Sequence, residues 1–184
     1  MKKLLLSLIV GGLVTLGQML FAADIKAVSD FDSERYLGQW YEIARLPNFF
    51  QEKCVGDISA QYQREGAGIS VVNRCRVADG KVDVANGYAT VENSSGSELK
   101  VSFLPRYFRW IPFTKGDYWV LRIDPEYQIS LVGDSDRKYL WLLSRTPTLS
   151  EDLIADYLNS AKAMGYQLDE VIYTQNSPYN VSDQ

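Results

Sequence analysis

The sequence predicts an all-β fold: an eight-stranded up-and-down antiparallel β-barrel with one C-terminal α-helix packed outside it and a short ninth strand. Three observations lead there. Short alternating stretches follow one another eight times with no helical stretch between them. A single amphipathic stretch comes after the last of them. The 184 residues contain no repeat and no low-complexity segment, which suits one domain. A closed barrel leaves no strand edge unpaired; the alternative is a two-sheet sandwich.

The chain opens "MKKLLLSLIVGGLVTLGQMLFAAD", with Lys2 and Lys3, an apolar run from Leu4 to Leu16, and small residues at Ala22 and Ala23. This pattern is that of a secretory signal peptide over 1–22, followed by one domain over 23–184. A membrane anchor would be unbroken, whereas Gly11, Gly12, Gly17 and Gln18 interrupt the run. A lipoprotein leader needs a cysteine at its cleavage point, and the first cysteine is Cys54. The expected location is therefore exported: the periplasm first, with outer-membrane association lacking an encoded lipid anchor, or secretion, as the other routes. Loss of residues 1–22 moves the formal charge from -4 to -6 (17 basic against 23 acidic residues). No nucleic-acid partner is expected of such a chain.

The strands are expected at 39–45, 55–64, 69–76, 83–93, 98–103, 118–124, 128–134 and 139–145. In "TPTLSEDLIADYLNSAKAMGY", Thr148 and Glu151 match a capping box, apolar residues recur at Leu153, Tyr157, Ala161 and Met164, and Gly165 offers a stop. The ninth strand falls near 170–173.

No histidine occurs in the chain. That excludes Ser-His-Asp triads, Cys-His dyads and the usual zinc sites. Carboxylate-only catalysis and a lone reactive thiol survive as minority readings, and neither metal nor cofactor nor enzymatic activity is expected. The two cysteines, Cys54 and Cys75, flank a hairpin with "REGAG" as its turn. With Cys54 opposite Cys75, Ile58 faces Val71, Ala60 faces Ile69, and Ser59 faces Ser70, so one face is apolar and the other polar. A disulfide between them follows for an oxidising compartment.

Gly38-Gln39-Trp40-Tyr41 resembles the G-x-W motif that opens the first strand of lipocalins. "IDPEYQISLVG" is similar to the second lipocalin motif, with Asp124 and Tyr127 in a turn, and "YLWLLSRTP" to the third, with Arg145 ending the eighth strand. "WYEIARLP" and "GDYWVL" resemble the bacterial lipocalins of outer membrane lipoprotein type, with apolipoprotein D and the plant temperature-induced lipocalins. The resemblance implies structural roles for Gly38, Trp40, Tyr41, Asp124, Tyr127 and Arg145. Trp40 then plugs one barrel end with Arg145 laid across it, and the loops at 46–54, 77–82, 104–117 and 134–138 form the mouth.

Strand alternation supplies the candidate ligand-binding set. Phased on Arg145, the eighth strand points Tyr139, Trp141 and Leu143 one way, and the resemblance of Trp141 marks that face as the cavity. Tyr118, Val120 and Arg122 are expected to join them from the sixth strand, and Val101 and Phe103 from the fifth; Arg122, the charged exception, reads first as an arginine hydrogen-bonded within the lower barrel or misphased into solvent, and only second as a carboxylate-binding group. Glu42, inward by alternation from Trp40, stands to pair with Arg122. The mouth loop "LPRYFRWIPFTKGD" interleaves Tyr107, Phe108, Trp110 and Phe113 with basic residues, and Phe49 and Phe50 lie in the first mouth loop. These six aromatics read equally as a lid or as a transient membrane contact.

The resemblance implies lipid binding and transport, with a fatty acid, lysophospholipid or similar hydrophobic small molecule as partner and a place in cell-envelope lipid storage or maintenance. The chain is expected to be a monomer or weak dimer. The alternatives are an envelope interaction protein whose barrel is filled by its own side chains and a thiol-dependent lipocalin enzyme. The last would need a free cavity thiol, and Cys54 is committed to Cys75.

Overall fold

A computed structural model describes residues 25–111 and 114–177 of the chain. The leader and Phe113 lie outside the described residues. Eight strands run in sequence order: β1 (Gly38–Arg45), β2 (Cys54–Glu65), β3 (Gly68–Val77), β4 (Val82–Val91), β5 (Glu98–Ser102), β6 (Gly116–Ile123), β7 (Ile129–Gly133) and β8 (Leu140–Ser144). Each pairs antiparallel with the next, and β1 bonds to both β2 and β8, which closes the barrel. The expected barrel is the observed one, with every strand boundary within two residues. A short helix, α1 (Ser33–Tyr36), precedes β1, and the main helix, α2 (Glu151–Ala163), follows β8. The ninth strand, β9 (Ile172–Tyr173), bonds outside the barrel to Ala44 and Arg45.

Two apolar cores share the same strands. Residues pointing inward near the closed end, among them Tyr36, Trp40, Tyr62, Val71, Leu99 and Val120, form one. Residues pointing outward from β1, β6, β7 and β8, such as Ile43, Leu121, Leu131 and Leu142, form the other with α2. This explains two sequence textures. "ISLVG" in β7 is buried at every position because both its faces are covered, whereas "VDVANGYATV" in β4 is only half buried because its outer face meets water.

The helix differs in detail from expectation. Its N-cap is Ser150, whose hydroxyl accepts from Leu153 N, and not Thr148, because Ser150 immediately precedes the first helical residue. The buried stripe is Tyr157, Leu158 and Ala161, with Ile154 and Met164 packed alongside; Leu153 points to solvent. Full burial is worth about 1.5–3 kcal/mol for each large side chain.

Arg122 belongs to this outer contact. A β-bulge between Val120 and Arg122 breaks the alternation of β6, so Arg122 turns out of the barrel. Its guanidinium lies 3.9 Å from the Tyr157 ring centroid and donates to Asp156 Oδ2 at 2.6 Å and Ser160 Oγ at 2.8 Å. It therefore ties α2 to the sheet, and Glu42 pairs instead with Arg45 at 2.8 Å.

The Cys54–Cys75 disulfide is present, with Cα atoms 5.6 Å apart, but the register around it is not the expected one. Cys54 pairs with Val77, Ala60 with Asn73 and Tyr62 with Val71. Bulges around Gly56 and Asp57 insert extra residues into β2, and the hairpin turns tightly with Glu65 opposite Gly68. The slip is an even number of residues, so Ile58, Ala60 and Tyr62 stay inward and the apolar face survives. The intact protein should carry no alkylatable thiol and weigh two hydrogens less than its reduced form by mass spectrometry; two reactive thiols in the native protein would refute the bridge.

Candidate functional site

The barrel is sealed at one end from the sequence just before β1. Asp32 caps α1 by accepting from Glu34 N and Arg35 N, which turns the chain across the opening. Val28 N donates to Val120 O at 2.9 Å, and Asp32 N donates to the Tyr127 hydroxyl at 2.7 Å. Gly38 then enters β1 with φ of +96°, a conformation that disfavours any side chain. Trp40 is fully buried, and its indole N–H donates to Tyr36 O at 2.8 Å. Arg145 lies over the indole at 3.8 Å and donates to three carbonyls, those of Gln39 (2.7 Å), Arg35 (2.8 Å) and Tyr127 (3.2 Å). Asp124 holds the neighbouring turn, accepting from the backbone N–H groups of Glu126, Gln128 and Ile129, with Tyr127 at a φ of 57°. Tyr41 sits on β1 opposite Ser59 and Ser144.

Above this plug is a cavity of about 800 Å³, open at the far end. Its size lies within the roughly 300–1,000 Å³ usual for small-molecule sites. Of the eight candidate ligand-binding residues, Tyr118, Trp141, Phe103, Val101, Tyr139 and Leu143 line it. Val120 points inward but is fully buried beneath the floor and does not reach the space, and Arg122 is outside the barrel for the reason already described. Alternation along one strand indicates the inner face without showing how far down the hollow extends.

Sequence reasoning missed the opposite wall. Ile58, Ala60, Tyr62, Ile69, Val71, Ala89 and Leu99 line the cavity, as do Phe31 and Tyr36 from the segment beneath. The signal for the strand residues was available in the alternation of β2 to β5; that for Phe31 and Tyr36 was not, since they precede the first strand. Oδ1 of Asn73 on this wall is buried with no hydrogen-bond partner among the described residues.

At the floor, three phenols and a serine form a hydroxyl chain. Tyr62 meets Tyr118 at 3.0 Å, Tyr118 meets Tyr36 at 2.8 Å, and Tyr36 meets Ser130 at 3.1 Å. Burial pushes the Tyr36 phenol up to about 12, against smaller downward effects of Ser130, Tyr118 and Arg145, and it raises Tyr62 and Tyr118 as well. All three are neutral hydrogen-bonding groups at ordinary pH.

Nearer the mouth, Gln51 orders the rim. Its amide accepts from the Trp141 indole N–H at 2.9 Å and donates to Glu42 at 2.7 Å, while Glu42 also accepts from Arg45 and Thr174. Tyr139 stacks on Trp141 with centroids 5.9 Å apart, and Phe50 packs against both. Phe49 and Phe50 line the cavity, but Tyr107, Phe108 and Trp110 do not, and Tyr107 and Trp110 are 85% and 78% exposed. These three rings thus stand in solvent, while Leu104, Thr114 and Lys115 at the ends of the same loop line the cavity.

A closed-bottomed, apolar-walled β-barrel with a single open end defines a binding barrel for small hydrophobic molecules. The match to a lipocalin-like domain over residues 31–176 agrees, and the chain belongs to the lipocalin family. It is 38% identical to temperature-induced lipocalin-1 of Arabidopsis thaliana over 84% of both chains. It is 36% identical to outer membrane lipoprotein Blc of Vibrio cholerae, over 82% of this chain and 86% of that one, and 32% identical to apolipoprotein D of Bos taurus, over 68% and 66%. Among solved structures, insecticyanin of the tobacco hornworm Manduca sexta shares the fold at a TM-score of 0.64 and 21% identity, covering 85% of this chain and 87% of that one.

Arg145 holds the plug without lining the cavity, so Arg145→Ala separates stability from binding. Loss of the cation–π contact and the carbonyl bonds should cost about 2–4 kcal/mol, lowering Tm by roughly 5–15 °C with ligand affinity nearly unchanged. Unchanged Tm with lost affinity would move Arg145 into the binding site.

Proposed function

We propose that the protein is a carrier that holds a fatty acid, lysophospholipid or similar amphiphile in its barrel and acts by binding, without catalysis or cofactor. The observation that carries this reading is the cavity of about 800 Å³, apolar on its walls, sealed below by Trp40 and Arg145 and open above. Its driving force is burial of the acyl chain, about 0.8 kcal/mol per methylene. The disulfide, the leader-like first residues and the likeness to an outer membrane lipoprotein support an exported protein working in lipid storage or maintenance at the cell envelope. Among the described residues no helix is long and apolar enough to cross a membrane.

The exposed aromatics support a further step in this reading, contact of the mouth with a lipid surface during loading. Phe49, Tyr107 and Trp110 project at the open end at 74%, 85% and 78% exposure, beside Arg106 and Arg109. Apolar rings flanked by cations match the interface between acyl chains and headgroups.

Native mass spectrometry of the protein from its own compartment, followed by organic extraction, should find one lipid per chain. Val101→Arg, which puts a charge on the wall, should weaken uptake of a fluorescent fatty acid at least tenfold; a bare chain that takes up no fatty acid or lysophospholipid would favour the filled-barrel alternative. Replacing Tyr107 and Trp110 with serine should slow lipid exchange with vesicles severalfold at unchanged Tm, and equal exchange rates would dispose of the membrane contact.

A further inference from the structure

The hydroxyl chain at the cavity floor has more protons than its own bonds use. Tyr62, Tyr118, Tyr36 and Ser130 carry one hydroxyl proton each, and the three contacts between them consume three. The fourth proton belongs to whichever hydroxyl does not donate within the chain, and three of the four, Tyr36, Tyr62 and Tyr118, line the cavity. Neither terminal oxygen meets another hydrogen-bond partner among the described residues. The Ser130 end is fully buried behind Tyr36, whereas Tyr62 lines the cavity.

Because each hydroxyl can both donate and accept, the chain can run in either direction. Run from Ser130 toward Tyr62, it presents a donor to the cavity; reversed, it presents an acceptor. A purely hydrocarbon ligand end would leave that donor or acceptor unpaired in a dry site, at a cost a hydrogen-bonding end avoids. The groups there are neutral, and Arg145, bound to three carbonyls, does not line the cavity. A carboxylate would therefore be desolvated at the floor without a cation facing it.

We infer that the Tyr62–Tyr118–Tyr36–Ser130 chain is a subsite for a neutral oxygen, hydroxyl or carbonyl, at the buried end of the ligand. The cargo is then an amphiphile oxygenated at its far end as well as at its headgroup. This rests on the carrier reading and specifies its ligand class.

The test is displacement of a fluorescent fatty acid from the intact protein by palmitic acid and by ω-hydroxypalmitic acid, repeated with the lauric pair so that one chain length suits the depth of the cavity. The ω-hydroxy acid of the fitting length should bind about tenfold more tightly than its parent. In Tyr62→Phe and in Tyr118→Phe, checked for wild-type melting, the ratio should fall to near one or below it. Equal affinities in the wild type, with both acids bound, would overturn the subsite and leave the carrier reading intact. A preference that persists in both variants would also overturn it. Failure of the wild type to bind either acid would overturn the carrier reading and the subsite together.

Discussion

The contact of Arg145 with Trp40 is the constraint on which the hollow barrel depends. A barrel of eight strands has room for its own side chains or for one small ligand. It becomes a container only if one end is closed by a piece that does not slide. The indole fills that end, and the guanidinium fixes it from the other face while satisfying three carbonyls contributed by the segment before β1, by β1 itself and by the turn before β7. Strand order then dictates the rest: once this end is shut, the loops after β1, β3, β5 and β7 must form the mouth.

A cavity forgoes packing that a filled core would supply. The lost contacts are offset outside the barrel, where α2 covers β6, β7, β8 and β1 with a second apolar core. Arg122 joins that outer contact rather than the ligand site, and the disulfide ties β2 to β3 near the rim. The cavity is thereby relieved of holding the fold together. Two polar networks face it, the hydroxyl chain at the floor and the Glu42–Gln51–Trp141 network higher up, with Asn73 and Arg74 on the wall between β2 and β4.

Two of the places where residue-by-residue reading failed share one cause. Alternation is a rule about an unbroken pleat, and a bulge resets its phase. The bulge in β6 sent Arg122 outward, and the bulges near Gly56 shifted the partners of β2 by four positions. The second error left the inward face intact because the shift was even. The mouth loop was left open between lid and membrane contact for another reason: nothing in the order of its aromatics says whether rings fold back over a cavity or stand in solvent, since that depends on surfaces far away in the chain.

By itself the sequence determined the barrel, its strand order, the outer helix, the plug formed by Trp40 and Arg145, and the pairing of Cys54 with Cys75. The strands and helix are set by local periodicity, and the plug was legible only through the resemblance of its short motifs to those of lipocalins. Only the tertiary structure decided the depth of the cavity, the side of the wall to which Arg122 belongs, and the meeting of Tyr36, Tyr62, Tyr118 and Ser130. Those hydroxyls come from a short helix and three strands, with up to 94 residues between bonded partners. Closure of the barrel is what brings them within hydrogen-bonding distance.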